Sequence, residues 1–108
     1  MADRFGVFWS ATAQADLVSI ADYAAREDLA AGLRIIDGLE KAAAALARFP
    51  RRGRVVPEFA EVNVTRYREV IRGPWRIVYF VDGRRVGVVA ALDSRRDLAT
   101  LLLERLLR

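Results

Sequence analysis

Residues 75–81, WRIVYFV, narrow the choice of fold more than any other stretch of the chain. Aromatic and β-branched residues dominate the run, which suits an extended strand. It is bounded by Gly73-Pro74 before it and Asp82-Gly83 after it. Asp-Gly between two apolar extended runs is a strong hairpin signal. Side chains alternate across a strand, so Trp75, Ile77, Tyr79 and Val81 lie on one face and Val78 and Phe80 on the other. Both faces are apolar. A sheet wetted on one side does not read this way, so this strand needs a cover on each face.

The flanking sequence supplies neighbours and covers. Val86–Leu92 reads as the strand paired across Asp82-Gly83. From Thr65, Tyr67, Glu69 and Ile71 alternate with Arg66, Arg68 and Val70, giving a strand on the other side of Gly73-Pro74. Upstream, Arg4–Trp9 is a short apolar-aromatic strand, and Ser10 is a helix N-cap. Ala13, Leu17, Ile20 and Ala24 follow at helical spacing, with Gln14, Asp16, Asp22 and Arg26 opposite. Asp28 caps a second helix whose stripe is Ile35, Leu39, Ala42, Leu46 and Phe49. Pro50 ends it, because the residue before proline avoids the helical region. Two amphipathic helices with a short join form an antiparallel hairpin. Gly32 and Gly38 weaken the second helix, so its packing against the first must compensate. Residues 51–57 read as a loop, Asp93-Ser94 as a turn, and Asp97–Arg108 as a closing helix. The predicted fold class is α+β: an N-terminal strand and a two-helix hairpin packed on a three- to four-stranded antiparallel sheet, with a C-terminal helix, all in one domain over residues 1–108.

At 108 residues, one modest core is feasible and two are not. The closing helix is greasier than such a core requires. At helical steps, Leu98, Ala99, Leu102, Leu103, Leu106 and Leu107 spread over about half its circumference, where a ~100° stripe suffices. The bland reading buries this helix deep in the core. The small core favours contact with a partner instead.

The residue inventory excludes much chemistry. With no Cys and no His, there is no disulfide frame, thiolate metal site, thiol nucleophile or Ser-His-Asp arrangement. No acidic cluster has metal-ligand spacing, no serine has a partnering base, and the scattered glycines make no phosphate-cradling loop. No catalytic residue, metal or cofactor is predicted. The segment MADRFGVFWS lacks a basic region followed by a long apolar run, and the longest uncharged stretch, Phe5 to Ala15, is far short of a membrane span. A cytoplasmic protein away from the membrane is expected.

Charge is uneven. Residues 1–50 carry 5 Lys+Arg and 7 Asp+Glu, or −2; residues 51–108 carry 13 and 7, or +6; the sum is the net +4. Arg68 and Arg76 on strands, Arg72 at a turn, and Arg95 and Arg96 after the last strand are expected to meet near one end and one face of the sheet. Such a set fits a phosphodiester chain or an acidic peptide. The alternative pairs them with Glu58, Glu61, Glu69, Asp93 and Asp97 on a solvated surface. Trp75, with Tyr67 and Tyr79 nearby, either stacks on a nucleobase or belongs to the core, where strand aromatics more often sit. Phe8 and Trp9 are assigned to the core.

The order of segments is itself informative. Trp9-Ser10, Ala13 and Asp16-Leu17 with Ile20 and Tyr23 come first. Phe49-Pro50, Gly53-Arg54, Val56-Pro57-Glu58, Tyr67-Arg68-Glu69, Trp75–Tyr79 and Arg95-Arg96-Asp97 follow. Over nearly the whole chain this resembles the RelE/ParE superfamily of type II toxin–antitoxin toxins, and within it ParE more than RelE. The resemblance implies two N-terminal helices on an antiparallel sheet. It also implies inhibition of DNA gyrase, and neutralisation by a ParD-like antitoxin whose C-terminal segment wraps the toxin. RelE-like relatives cut mRNA on the ribosome, and Arg72 and Arg96 fall where two of their functional arginines lie. Their C-terminal tyrosine position falls near Leu102, which departs from that pattern and favours a toxin that binds. The residues expected to meet target or antitoxin are Arg68, Arg72, Trp75, Arg76, Arg95, Arg96, Leu102, Leu103, Leu106 and Leu107. The antitoxin's acidic residues would face the arginines, and direct nucleic-acid binding stays open.

Overall fold

A computed structural model describes residues 4–95 and 98–106, apart from the side chains of Leu98, Leu102 and Leu106. The elements are β1 (Gly6–Trp9), α1 (Ala11–Ala25), α2 (Leu29–Ala44), β2 (Arg54–Val55), α3 (Pro57–Ala60), β3 (Tyr67–Arg72), β4 (Trp75–Asp82), β5 (Arg85–Asp93) and α4 (Leu98–Leu106). The sheet has five strands in the order β1-β5-β4-β3-β2. Its centre is the expected meander, with β3, β4 and β5 antiparallel. Both tight turns carry a glycine at positive φ, Gly73 and Gly83, as hairpin geometry requires. The α+β class is as expected, and the sheet is wider than expected. β1 adds to β5 in parallel, and the two-residue β2 adds to β3.

The helix hairpin covers one face. Ser10 Oγ accepts from the Ala13 N–H at 3.0 Å, and Asp28 Oδ1 accepts from the Ala30 N–H at 3.0 Å, so both predicted N-caps form. Ala13, Leu39, Ala43 and Leu46 pack on Ile77, Tyr79, Val86 and Val88. Gly32 is explained by this packing: a Cβ there would stand 2.8 Å from the Ala21 carbonyl oxygen, so the two helices approach too closely for any side chain. On the opposite face Val56, Phe59, Val78, Ala90 and Leu92 form a second cluster, against which Leu101 of α4 packs. The second cover is therefore shared by α3 and α4.

Two expectations are corrected. Phe49 does not extend the α2 stripe: the helix tightens into a 3₁₀ turn at Ala45–Ala47, and Phe49 emerges 63% exposed. Phe8 is not core, because Gly6 and Phe8 lie on the face of β1 opposite Val7 and Trp9, and Phe8 is half exposed with the Arg85 guanidinium 4.7 Å above its ring.

Asp16 ties the last helix to the first. Its carboxylate accepts from Arg105 Nη1 and Nη2 at 2.6 and 2.8 Å and from the Ala91 N–H at 3.0 Å. Ala91 lies beyond the stretch of β5 that β1 pairs, so Asp16 occupies a donor the sheet leaves unused. The Arg105 guanidinium is held above its ordinary pKa by that hydrogen-bonded carboxylate.

Candidate functional site

Among the described members of the expected arginine set, Arg72 and Arg95 flank Trp75, whereas Arg68 and Arg76 stand apart. On β3, Arg68 and Arg72 share a face with Val70. The short turn at Gly73-Pro74 pairs Arg72 with Trp75 and Ile71 with Arg76. Paired residues share a face, so Arg76 lies across the sheet from Arg68 and Arg72.

Arg76 is also not open, contrary to its place among the exposed cations. It is only 7% exposed. Its Nη1 and Nη2 donate to Glu58 Oε2 and Oε1, each at 2.8 Å, and its Nε donates to Glu69 Oε1 at 2.7 Å; Nη2 also reaches Glu69. Glu69 is buried, and its other oxygen accepts from Arg54 Nε at 2.7 Å. The physical reason is local. Leu92 and Val78 beside Arg76 make that face apolar, and a buried guanidinium is tolerated only when paired and hydrogen-bonded. Glu58 is supplied by α3, which opens with Pro57 at its first position and carries Glu58 in its first turn. The hydrogen bond from Arg76 holds the Glu58 carboxyl below the usual glutamate range, and the pair raises Arg76 above its ordinary value.

Arg68 holds a loop. Its Nη1 donates to the Gly53 carbonyl at 2.8 Å, while the Gly53 N–H donates to the buried Tyr79 Oη at 3.0 Å. Burial pushes the Tyr79 phenol above its ordinary pKa. Tyr79 is thus core with one polar duty, and a Cβ on Gly53 would stand 2.6 Å from its oxygen.

Arg72, Trp75 and Arg95 gather around the β3–β4 turn. Trp75 is half-buried and stands between two shallow grooves. One, about 370 Å³, runs along α2 past Ile35 and Gly38 to Arg72. The other, about 390 Å³, runs along α1 past Ile20 and Tyr23 to Arg95. Arg72 lies flat over Gly38, with Nη2 3.2 Å from where a Cβ would be, so this second helix glycine seats a guanidinium. Tyr23 is 75% exposed at the rim. Arg95 is exposed and bidentate to Asp93, at 3.0 and 2.7 Å, which raises its pKa. Leu103 is exposed on α4. Arg96, Leu107 and the side chains of Leu102 and Leu106 lie outside the described residues.

The site is therefore a tryptophan ridge flanked by Arg72 and Arg95, with apolar groove walls. It suits docking of a macromolecular segment. Among the described residues no group of three or more acidic, His or Cys side chains is placed to hold a metal, and no helix is long and apolar enough to cross a membrane. The alternative that pairs the arginines with Glu58, Glu69 and Asp93 holds for Arg76 and Arg95, though the Arg76 pairing is buried and not solvated; Asp16 as the partner of Arg105 is not among the expectations. Nothing local signals the Asp16 partnership, which spans 89 positions.

A family profile described as the ParE toxin of type II toxin–antitoxin system, parDE, matches residues 7–98. No curated protein sequence matches significantly. Among solved structures, a chain of the chromosomal ParDE toxin–antitoxin system from P. aeruginosa superposes with a TM-score of 0.70 at 18% identity, over 84% of this chain and 97% of that one. A chain of the RelBE2 toxin–antitoxin complex from Mycobacterium tuberculosis gives a TM-score of 0.63 at 18% identity, over 86% of this chain and 94% of that one.

Proposed function

Because this chain belongs to the ParE toxin family of type II toxin–antitoxin systems, we propose that it acts in the cytoplasm by binding DNA gyrase, and that a ParD-like antitoxin neutralises it. The observation that carries the binding reading is the ridge of Trp75 and Arg72 set between two apolar-walled grooves. A nuclease needs cations free to take up developing phosphate charge and a group to carry the proton. Here Arg76 is taken up within the fold and Arg72 stays exposed, but the C-terminal tyrosine position of RelE-like relatives falls near Leu102, which carries no transferable proton. What stays open is a ridge of Trp75 with Arg72 and Arg95 beside apolar grooves, a surface for recognition. Aromatic and arginine side chains carry most interface energy, so this ridge is the proposed contact. The structural neighbours come from a ParDE system and a RelBE2 complex, which supports an antitoxin partner.

Purified toxin is expected to block supercoiling by gyrase while leaving ribosome-bound mRNA intact. Trp75→Ala with Arg72→Glu should weaken that inhibition by about tenfold or more, since truncated interface anchors typically cost 2 kcal/mol or more, with an unchanged far-ultraviolet spectrum. Cleavage of translated mRNA with gyrase unaffected would replace this reading with a RelE-like ribosome-dependent endoribonuclease. The neighbouring gene should encode a short ribbon-helix-helix protein with an acidic tail.

A further inference from the structure

A second surface lies away from the Trp75 ridge, at the end of the 3₁₀ turn. Phe5, Arg48, Phe49, Pro50, Arg51 and Arg52 line a shallow cavity of about 580 Å³. We infer that this cavity seats an apolar side chain from an acidic segment of the antitoxin; the choice of partner rests on the function proposed above.

Three observations point to that occupant. The floor is apolar and held open. Phe49 is largely exposed, yet its turn is fixed at both ends: Phe5 N–H donates to the Ala47 carbonyl at 2.8 Å, Arg52 N–H donates to the Phe49 carbonyl at 3.2 Å, and Gly53 is fastened by Arg68 and Tyr79. A phenyl ring displayed on an anchored turn loses little freedom when it is covered. The rim is cationic. Between Glu40 and Glu58 the chain carries Lys41, Arg48, Arg51, Arg52 and Arg54 and no carboxylate. Arg54 is consumed by Glu69, whereas the guanidinium groups of Arg48, Arg51 and Arg52 have no ion-pair partner among the described residues. The combination discriminates between occupants. A nucleic-acid duplex would use the rim and leave the floor idle, an apolar helix would leave the guanidinium groups uncompensated, and a single strand, whose bases stack on aromatic rings, is the competitor in the test below. A leucine- or phenylalanine-sized side chain flanked by carboxylates uses both. An antitoxin bound at this cavity and at the Trp75 ridge would hold the toxin at two points, and linked contacts tighten each other.

The test uses the 108-residue chain and three probes. They are the protein encoded beside it, a short glutamate-rich peptide with one central leucine, and the same peptide with serine in place of leucine; oligothymidylate serves as competitor. The leucine peptide should bind, the serine peptide about tenfold more weakly, and Phe49→Ser should lower affinity for both the leucine peptide and the encoded partner by about tenfold, a typical loss for an interface anchor. Arg51→Glu with Arg52→Glu should do the same. Phe49 and both arginines are exposed, so melting temperatures should hold. Equal binding of both peptides, no peptide binding, displacement of the peptide by oligothymidylate at lower concentration than by the encoded partner, or a partner affinity indifferent to both variants would each overturn the inference. Failure of the encoded partner to bind the unmodified toxin at all would instead bring down the proposed function, and with it the choice of partner.

Discussion

Arg76 shows how a single side chain decides what a sheet face can do. It is caught between Glu58 and Glu69, and Glu69 is further held by Arg54. Removing one member of a buried ion pair leaves the other charge stranded, at a cost of about 3–5 kcal/mol. Arg76→Met should therefore lower unfolding free energy by roughly 3 kcal/mol in a urea titration, because Glu69 keeps only Arg54. Arg76→Met with Glu69→Leu should recover part of that loss, since an apolar pair strands no charge. If the double variant is no more stable than the single one, the network is not the source of the cost. Glu58 is more exposed, so Glu58→Gln should cost only about 1 kcal/mol at neutral pH. Its pH dependence is more telling. The hydrogen bond from Arg76 lowers the folded-state pKa of Glu58. A lowered carboxyl contributes stability that is present above the unfolded value of about 4.3 and is lost as pH falls through the folded value. Melting temperature followed from neutral to acid pH should fall less steeply in Glu58→Gln than in the parent. This network was half legible in sequence. A short turn at Gly73-Pro74 pairs Ile71 with Arg76 and so puts Arg76 on the face away from Arg68 and Arg72. That Glu58 reaches it depends on α3 folding back over the sheet, a long-range placement with no local signature.

Among the elements, α4 is tied to the fold by one apolar and one charged contact that can be tested separately. Leu101 packs into the second cluster, and Arg105 grips Asp16. Asp16→Ala removes the partner of Arg105 and the acceptor of the Ala91 N–H together, which should cost about 1–3 kcal/mol for the unsatisfied donors. Amide exchange should quicken in α4 and at Ala91 while β4 stays protected; uniform quickening would mean that the clamp supports the whole fold and not the helix. The helix hairpin is tighter. Gly32→Ala gains about 1 kcal/mol of helix propensity, but its Cβ would press on the Ala21 carbonyl at 2.8 Å and on Ala25 Cβ at 3.0 Å. Backbone cannot yield cheaply, so the melting temperature should fall. The caps, the hairpin and the three central strands were all legible, because each rests on periodicity or turn chemistry within a few residues. β1 read as a strand, but its parallel pairing with β5 did not show, since it joins residues about eighty positions apart. β2 falls within the stretch read as loop, and α3 beyond Pro57 has no sequence assignment, because two- and four-residue elements have no period. Phe49 fell on the α2 stripe at α-helical spacing and left it when the last turn tightened to 3₁₀.

At the scale of the molecule, the fold buries two apolar clusters and still exposes Val18, Tyr23, Leu29, Leu33, Phe49, Ile71 and Leu103. It also bears a net charge of +4, with the cations concentrated after residue 50. Apolar exposure and positive charge act at different stages of association. Charge steers encounter and is screened beyond about 8 Å at physiological ionic strength. Buried apolar area sets how long the complex lasts. An acidic antitoxin should therefore associate about tenfold more slowly when salt is raised from low to physiological strength, within the range electrostatic steering spans, while its dissociation rate changes little. Surface-immobilised toxin with antitoxin in flow reads both rates. Binding to the folded state alone also stabilises it, by about 2.7 kcal/mol when antitoxin is at a hundred times its dissociation constant. For a domain near this size that corresponds to a rise in melting temperature of roughly 10 °C. Salt acting only on dissociation would assign the affinity to ion pairs such as those at Arg51 and Arg52, and the apolar surface would then need another explanation.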